Sequence, residues 1–238
     1  MILIIAEPAD LGALWLRSQL ACRLADPVEV VTPAKLVYAP SILQRLTSRC
    51  SDGDLRLSDG RTLRMSAVQG MINRIRAVPT AHLHAADDAE RDYAASELHA
   101  FLLGWLASFD CAMLNPPAPE SLAGPSHSRL SALHFAAISG LGCRRTNITT
   151  MAPQPLEQAP TEGIAVHFVL DGQVIGPLLP VVMRDAMVAF ARLWGARLVQ
   201  IETISDEGRN EFVRATSLVD FQAGGDTLVR AIARALSP

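Results

Sequence analysis

Whatever chemistry this chain performs has to be built from a narrow set of side chains. It holds one lysine, Lys35, against twenty arginines. A mechanism that surrounds a phosphate with several lysines has no material here, although arginine's planar fork also suits phosphate. His82-x-His84 precedes Asp87, Asp88 and Glu90, and imidazole with carboxylate is an ordinary metal-ligand set. The favoured reading is plainer: a solvated loop, then acids at the positive end of a helix. His127 and His134 lie seven residues apart on one helix, whereas zinc on a helix takes i, i+4 spacing. One loop histidine and one packed histidine are expected. Ser126-His127-Ser128 supplies hydroxyl and imidazole, yet a serine nucleophile needs a base oriented by a third group. Ser126 or Ser128 is expected to cap a helix, whose first amides, with Arg129 close by, form a candidate anion site. Gly140-x-Gly142 follows a helix instead of opening one, so it is no dinucleotide fingerprint. Arg144-Arg145 could meet an acidic partner but reads more simply as a solvated pair, and Glu202, Asp206 and Glu207 could be metal ligands but read as a strand end followed by a polar turn. Cys22, Cys50, Cys111 and Cys143 are dispersed and form no CxxC, as expected of reduced thiols.

The 238 residues are 50% hydrophobic and 19% charged, with a net charge of −3. The sequence pI is about 6.1 and the mean hydropathy +0.23. These values leave no general attraction to nucleic acid and exclude a disordered chain. No stretch has the length of uncharged apolar sequence that a membrane helix needs, and MILIIAEPAD lacks the basic region of a signal peptide. A cytoplasmic protein is expected, with no membrane partner. A charged fraction below the roughly 25% of an ordinary soluble domain points to either a thoroughly buried core or a persistent interface, and an oligomer or a bound partner is expected.

The elements that must position these groups are legible in outline. Ile2–Ala6 and Val28–Thr32 read as strands flanking a helix capped by Asp10, with Leu11, Leu14, Trp15 and Cys22 on its apolar face, a βαβ unit. A short helix is expected near Ser41–Ser48. Leu55 and Leu57, then Asp59-Gly60, then Leu63 and Met65 spell a hairpin, and Val68–Ile75 another strand. The strongest helix starts at Asp87 or Asp88 and carries Tyr93, Leu98, Phe101, Leu102, Trp105, Leu106 and Phe109. Cys111–Leu114 is a strand. A helix from the Ser126–Arg129 loop ends at Gly140, and Arg144–Thr150 reads as a strand. Beyond the Pro-rich stretch 151–163, Asp171-Gly172 marks a second hairpin. Arg184–Trp194 is a helix closed by Gly195, Arg197–Thr203 and Glu211–Thr216 are strands, and Gly225–Leu236 is a final helix.

In this order the elements resemble the ATP-grasp superfamily of glutathione synthetase and the ribosomal-protein glutamate ligases, and its peptide-modifying branches most of all. Met71-Ile72-Asn73-Arg74 is similar to the strand-end Asn-Arg of the preceding domain. The helix with Tyr93, Glu97 and Phe101, followed by Leu114-Asn115-Pro116, resembles the entry to the grasp fold. Ser126-His127-Ser128-Arg129-Leu130 stands where such enzymes carry Ser-Lys, and Leu141 through Thr150 fits the Gly-Leu and Thr-x-x-Thr strand that follows. The resemblance implies an α/β fold: a pre-ATP-grasp-like βαβ domain over 1–115, then a reduced ATP-grasp-like α+β domain over 116–238 with a linker at 151–163.

The departures shape the functional expectation. The nucleotide-clamping subdomain of active members is replaced by MAPQPLEQAPTEG, and the phosphate-binding lysines are missing. Aligned on Phe212, Arg214 stands where the family's magnesium-binding carboxylate would be, and Thr216 where its Asn would be. Magnesium needs oxygen ligands, and phosphoryl transfer needs its charge neutralised. The expectation is therefore a non-catalytic scaffold or peptide-binding subunit, homodimeric or bound to a partner protein, with no cofactor and no metal. An ATP- and magnesium-dependent carboxylate–amine ligase with an arginine-based nucleotide site is the alternative. Asn73, Arg74, Ser126, His127, Ser128, Arg129 and Arg214 are the candidate anion- or ligand-binding residues, and none is expected to be catalytic.

Overall fold

Most strands and turns fall where the sequence puts them. In a computed structural model, residues 1–48, 51–143, 163–206 and 209–237 are described. The chain forms two compact units, residues 1–126 with 225–238, and residues 127–224.

The first unit is built on a parallel sheet. Strands β1 (Ile2–Ile5), β2 (Val28–Val31), β6 (Gly70–Asn73) and β7 (Ala112–Leu114) lie in the order β2-β1-β6-β7, every pair parallel. Helix α1 (Leu11–Ala21) links β1 to β2, and the Asp10 carboxylate caps it by accepting from the Ala13 amide at 3.0 Å. Its buried face is Ala13, Leu16 and Leu20, whereas Leu11 is 71% exposed. The expected face of Leu11, Leu14, Trp15 and Cys22 is corrected: the helix is apolar nearly all round, so its own period does not choose a face and the sheet does. Thr32 caps α2 (Pro33–Val37), with Pro33 inside the first turn, a position that suits its fixed φ. The short helix expected near Ser41–Ser48 is instead a strand, β3 (Ser41–Leu46). It pairs antiparallel with β4 (Ser51–Arg56), which pairs with β5 (Thr62–Arg64) across the expected Asp59-Gly60 turn. Lys35 Nζ holds that turn, 2.8 Å from Asp59 Oδ2. Asp87 caps α3 (Asp88–Ala107) through the Glu90 amide, and Leu102, Trp105 and Leu106 are its buried side. They join Leu3, Ile5, Met71, Leu55 and Leu63 in one core.

The second unit is an antiparallel sheet with one parallel edge, β10-β9-β11-β12-β8. Its strands are β8 (Gly142–Cys143), β9 (Ile164–Leu170), β10 (Gln173–Ile175), β11 (Leu198–Asp206) and β12 (Arg209–Thr216). The β9–β10 turn has Asp171 at φ 47° and Gly172 at φ 82°, the pair of left-handed residues a two-residue hairpin requires. Helices α4 (Arg129–Ser139) and α5 (Val181–Trp194) end on left-handed Gly140 and Gly195 as expected. Their Ala132, Ala136, Phe190 and Trp194 pack with Val169, Val199, Ile201 and Phe212.

Helix α6 (Phe221–Leu236) is broken at Gly225, and the part beyond it belongs to the first unit. There a Cβ on Gly70 would lie 3.0 Å from both Cβ and the carbonyl oxygen of Leu236. Glycine is what lets the last turn approach β6 so closely. The units thus divide at 126/127 and 224/225, not at the 115/116 boundary expected from the sequence. A division along the chain cannot foresee a terminal helix that returns to the first sheet. Of the expected linker 151–163 only Gly163 is described, and the expected strand Arg144–Thr150 and the Arg144-Arg145 pair lie outside the described residues.

Candidate functional site

The candidate residues fall in three places. At the end of β6, Asn73 and Arg74 are buried. Asn73 Nδ2 donates to the Leu122 carbonyl and, at 3.5 Å, to that of Asn115, while its Oδ1 accepts from the Ile75 amide at 3.2 Å. Arg74 Nε donates to Asp10 Oδ2 at 2.6 Å. Burial pushes the Asp10 carboxyl up, but the Arg74 hydrogen bond, the Ala13 amide and the charges of Arg74 and Arg76 outweigh it and hold the group below its usual range. This pair joins the first turn of α1 to the end of β6.

The Ser126–Arg129 loop is divided between the units, with Ser126 ending the first. Ser128 is the N-cap of α4, its Oγ accepting from the Ser131 amide at 3.1 Å. His127 Nε2 lies 2.9 Å from the Trp194 carbonyl oxygen, and its ring meets Phe135 and Trp194 edge-on at 5.1 and 4.8 Å. The imidazole is a packing group between the start of α4 and the end of α5. Arg129 is exposed. The other histidine pair is engaged as well: His82 meets the Tyr38 ring at 4.9 Å and His84 Nδ1 lies 3.0 Å from the Ala81 carbonyl oxygen.

The third place is the strand pair β11–β12. A bulge between Glu202 and Thr203 sets Glu202 opposite Arg214 and Thr203 opposite Phe212. Arg214 Nε donates to Glu202 Oε2 at 2.6 Å and Nη2 to Oε1 at 2.8 Å. Gln200 Nε2 also donates to Glu202 Oε1, at 2.8 Å, and Gln200 Oε1 accepts from the Asp220 amide at 2.7 Å. The Glu202 hydrogen bond, opposed by burial, raises the Arg214 pKa above its already high value. Thr216 Oγ1 accepts from the Leu218 amide at 3.0 Å. The sequence singles out Arg214 and Glu202 separately; their pairing and the roles of Gln200 and Asp220 were missed. Alternation along β11 put Gln200 and Glu202 on one face, but only the bulged register places Arg214 against them. The Asp206 side chain and Glu207 lie outside the described residues.

No protein-family model matches the sequence, and a search of curated proteins finds no match. Solved structures do match. The macrocyclase MdnB from Microcystis aeruginosa MRC superposes with a TM-score of 0.77 at 14% identity, over 99% of this chain and 98% of that one. The macrocyclase MdnC of the same organism, bound with precursor peptide MdnA, gives 0.72 at 13% identity over the same shares. The ATP-grasp ligase PsnB, complexed with minimal precursor, Mg and ADP, gives 0.69 at 14% identity, again over 99% and 98%. The fold is that of ATP-grasp ligases.

This corrects the expectation of no cofactor, because a ligase of the same fold holds ADP and magnesium. Missing lysines and a short Pro-rich interval were a poor guide, since arginine and backbone amides also bind phosphate. The strand pair is a separate matter. Magnesium takes oxygen ligands in a near-octahedral shell. Both Glu202 oxygens already accept from a guanidinium, whose charge repels a divalent ion, so Glu202 and Arg214 as arranged do not fit magnesium.

Proposed function

We propose that this chain binds a peptide within a peptide-modification pathway and does not itself form the peptide's new bond. The observation that carries the reading is the bidentate Arg214–Glu202 pair. It occupies a carboxylate on the strands where the resemblance places metal ligation. The peptide comes from the neighbours, of which MdnC and PsnB were both solved with precursors. Nucleotide is a ligand to be measured separately. The PsnB complex with Mg and ADP favours a second reading, an ATP-dependent carboxylate–amine ligase.

Mass spectrometry separates the two. The chain is incubated with magnesium, ATP and a peptide carrying glutamate and lysine side chains. A ligase joins carboxylate to amine, so the peptide loses one water as ATP becomes ADP and phosphate. The proposed reading expects unchanged peptide mass together with saturable peptide binding in a calorimetric titration. A dehydrated product overturns it. A second copy of the chain is the other proposed partner, and a monomer by light scattering at high concentration removes that part.

A further inference from the structure

The second half of α6 turns one stripe outward. Leu228, Val229, Ile232 and Leu236 are buried, while Thr227, Arg230 and Arg234, spaced by three and four residues, are exposed. Arg23, just past the end of α1, comes alongside. With Ala233 these residues line an open groove of about 570 Å³.

The arginines are held unequally. Arg23 Nη1 donates to the Gln19 carbonyl at 2.7 Å and to Gln19 Oε1 at 3.1 Å, and its Nη2 contacts Asp226 Oδ1. Arg230 Nε lies 3.2 Å from the other Asp226 oxygen. One carboxylate therefore aligns two guanidinium groups, and Arg234 has no partner among the described residues. Asp226 offsets one of the three positive charges, which leaves a cationic groove on a protein whose net charge is −3.

Spacing decides which anion fits. Residues four apart on a helix rise by about 6 Å, and alternate side chains of an extended peptide recur at about 6.6 Å. We propose that this groove binds an extended acidic peptide segment, with carboxylates on alternate residues meeting Arg230 and Arg234 and Arg23 closing the row. The assignment rests on the reading of the chain as a peptide-binding protein and adds an anchoring site to it.

The test is fluorescence anisotropy with a labelled peptide of alternating glycine and glutamate, against the same peptide with glutamine. The glutamate probe binds and the glutamine probe is weaker by about tenfold or more. Arg230→Gln with Arg234→Gln brings the glutamate probe down to the glutamine level. Arg234→Gln alone, which leaves the Asp226 contacts in place, gives part of that loss. Circular dichroism of these exposed-site variants stays unchanged. Equal binding of both probes, or binding indifferent to the double variant, overturns the site while peptide binding itself survives. Displacement by inorganic phosphate as effective as by unlabelled glutamate peptide also overturns the peptide assignment. No binding of either probe overturns the site, whereas the peptide-binding reading stands or falls on the calorimetric titration described above.

Discussion

Arg74 Nε approaches Asp10 Oδ2 at 2.6 Å in the first unit, and Arg214 Nε approaches Glu202 Oε2 at 2.6 Å in the second. The surroundings differ. The side chains of Arg74 and Asp10 are 7% and 12% exposed, whereas Arg214 is 71% exposed and Glu202 only 5%. The first pair has both charges withdrawn from water and also caps a helix, so each partner depends on the other. The second has one face in solvent, with Gln200 as a further donor to the carboxylate. A short contact alone does not tell a structural staple from a group that still faces outward; burial on both sides does.

The largest expected effect tests that contrast. Arg74→Ala strands a buried carboxylate and is expected to cost about 3–5 kcal/mol of unfolding free energy. Arg214→Ala leaves Glu202 with Gln200 and an opening to water, and is expected to cost about 1–2 kcal/mol. Urea unfolding of both variants measures the difference, and equal losses would erase the distinction between the pairs.

A smaller effect separates the units by pH. His167 is buried in the second unit, with Nε2 3.3 Å from Thr203 Oγ1 and, among the described residues, no hydrogen-bond partner for Nδ1. Burial lowers its pKa from the ordinary 6.5. The unfolded chain takes up a proton that the folded imidazole refuses. Stability is therefore complete above about pH 6.5 and falls as pH drops below it, by at most about 1.4 kcal/mol per pH unit. Asp10, held below its ordinary 3.8, loses its contribution only at more acid pH. Unfolding followed from pH 8 to 5 is expected to weaken for the native chain and to stay level for His167→Gln, by about the slope just given. A level profile in both would remove His167 from the account.

The smallest effect is kinetic. Cys22 is exposed. Burial, with Asp110 adding to it, pushes the Cys111 thiol up to about 11, and burial with Glu211 raises that of Cys143. Near neutral pH, iodoacetamide is expected to label Cys22 well ahead of Cys111 and Cys143. Mass-spectrometric mapping in which Cys111 reacts first would contradict the packing described around it.

How much of this was legible in the sequence depended on the range of the signal. Asp10, Asp87 and Ser128 each accept from an amide three residues on, and Asp171-Gly172 needs only its own left-handed backbone. Such contacts are written in adjacent letters. Leu11 against Leu16 as the buried side of α1 was not, because both are leucines on one helix and only the sheet selects between them. Ser41–Leu46 had no periodicity strong enough to overrule a helical reading, and it is a strand because β4 lies beside it. Of the candidate residues, Asn73, Arg74 and Arg214 were noticed by resemblance, but Leu122 and Asp10 lie 49 and 64 residues from their partners, and Glu202, 12 residues from Arg214, meets it only through the bulged register.

By itself the sequence determined the α/β class, the two hairpin turns, the helix caps and the scarcity of lysine, since each follows from residue identity or from neighbours within a turn. Tertiary structure alone decided that α6 returns to the first sheet, that Arg23 joins Arg230 and Arg234, and that a bulge brings Arg214 onto Glu202. Those outcomes depend on strand register and on which surfaces pack, and both are settled by burial summed over a whole unit, not by any local run of residues.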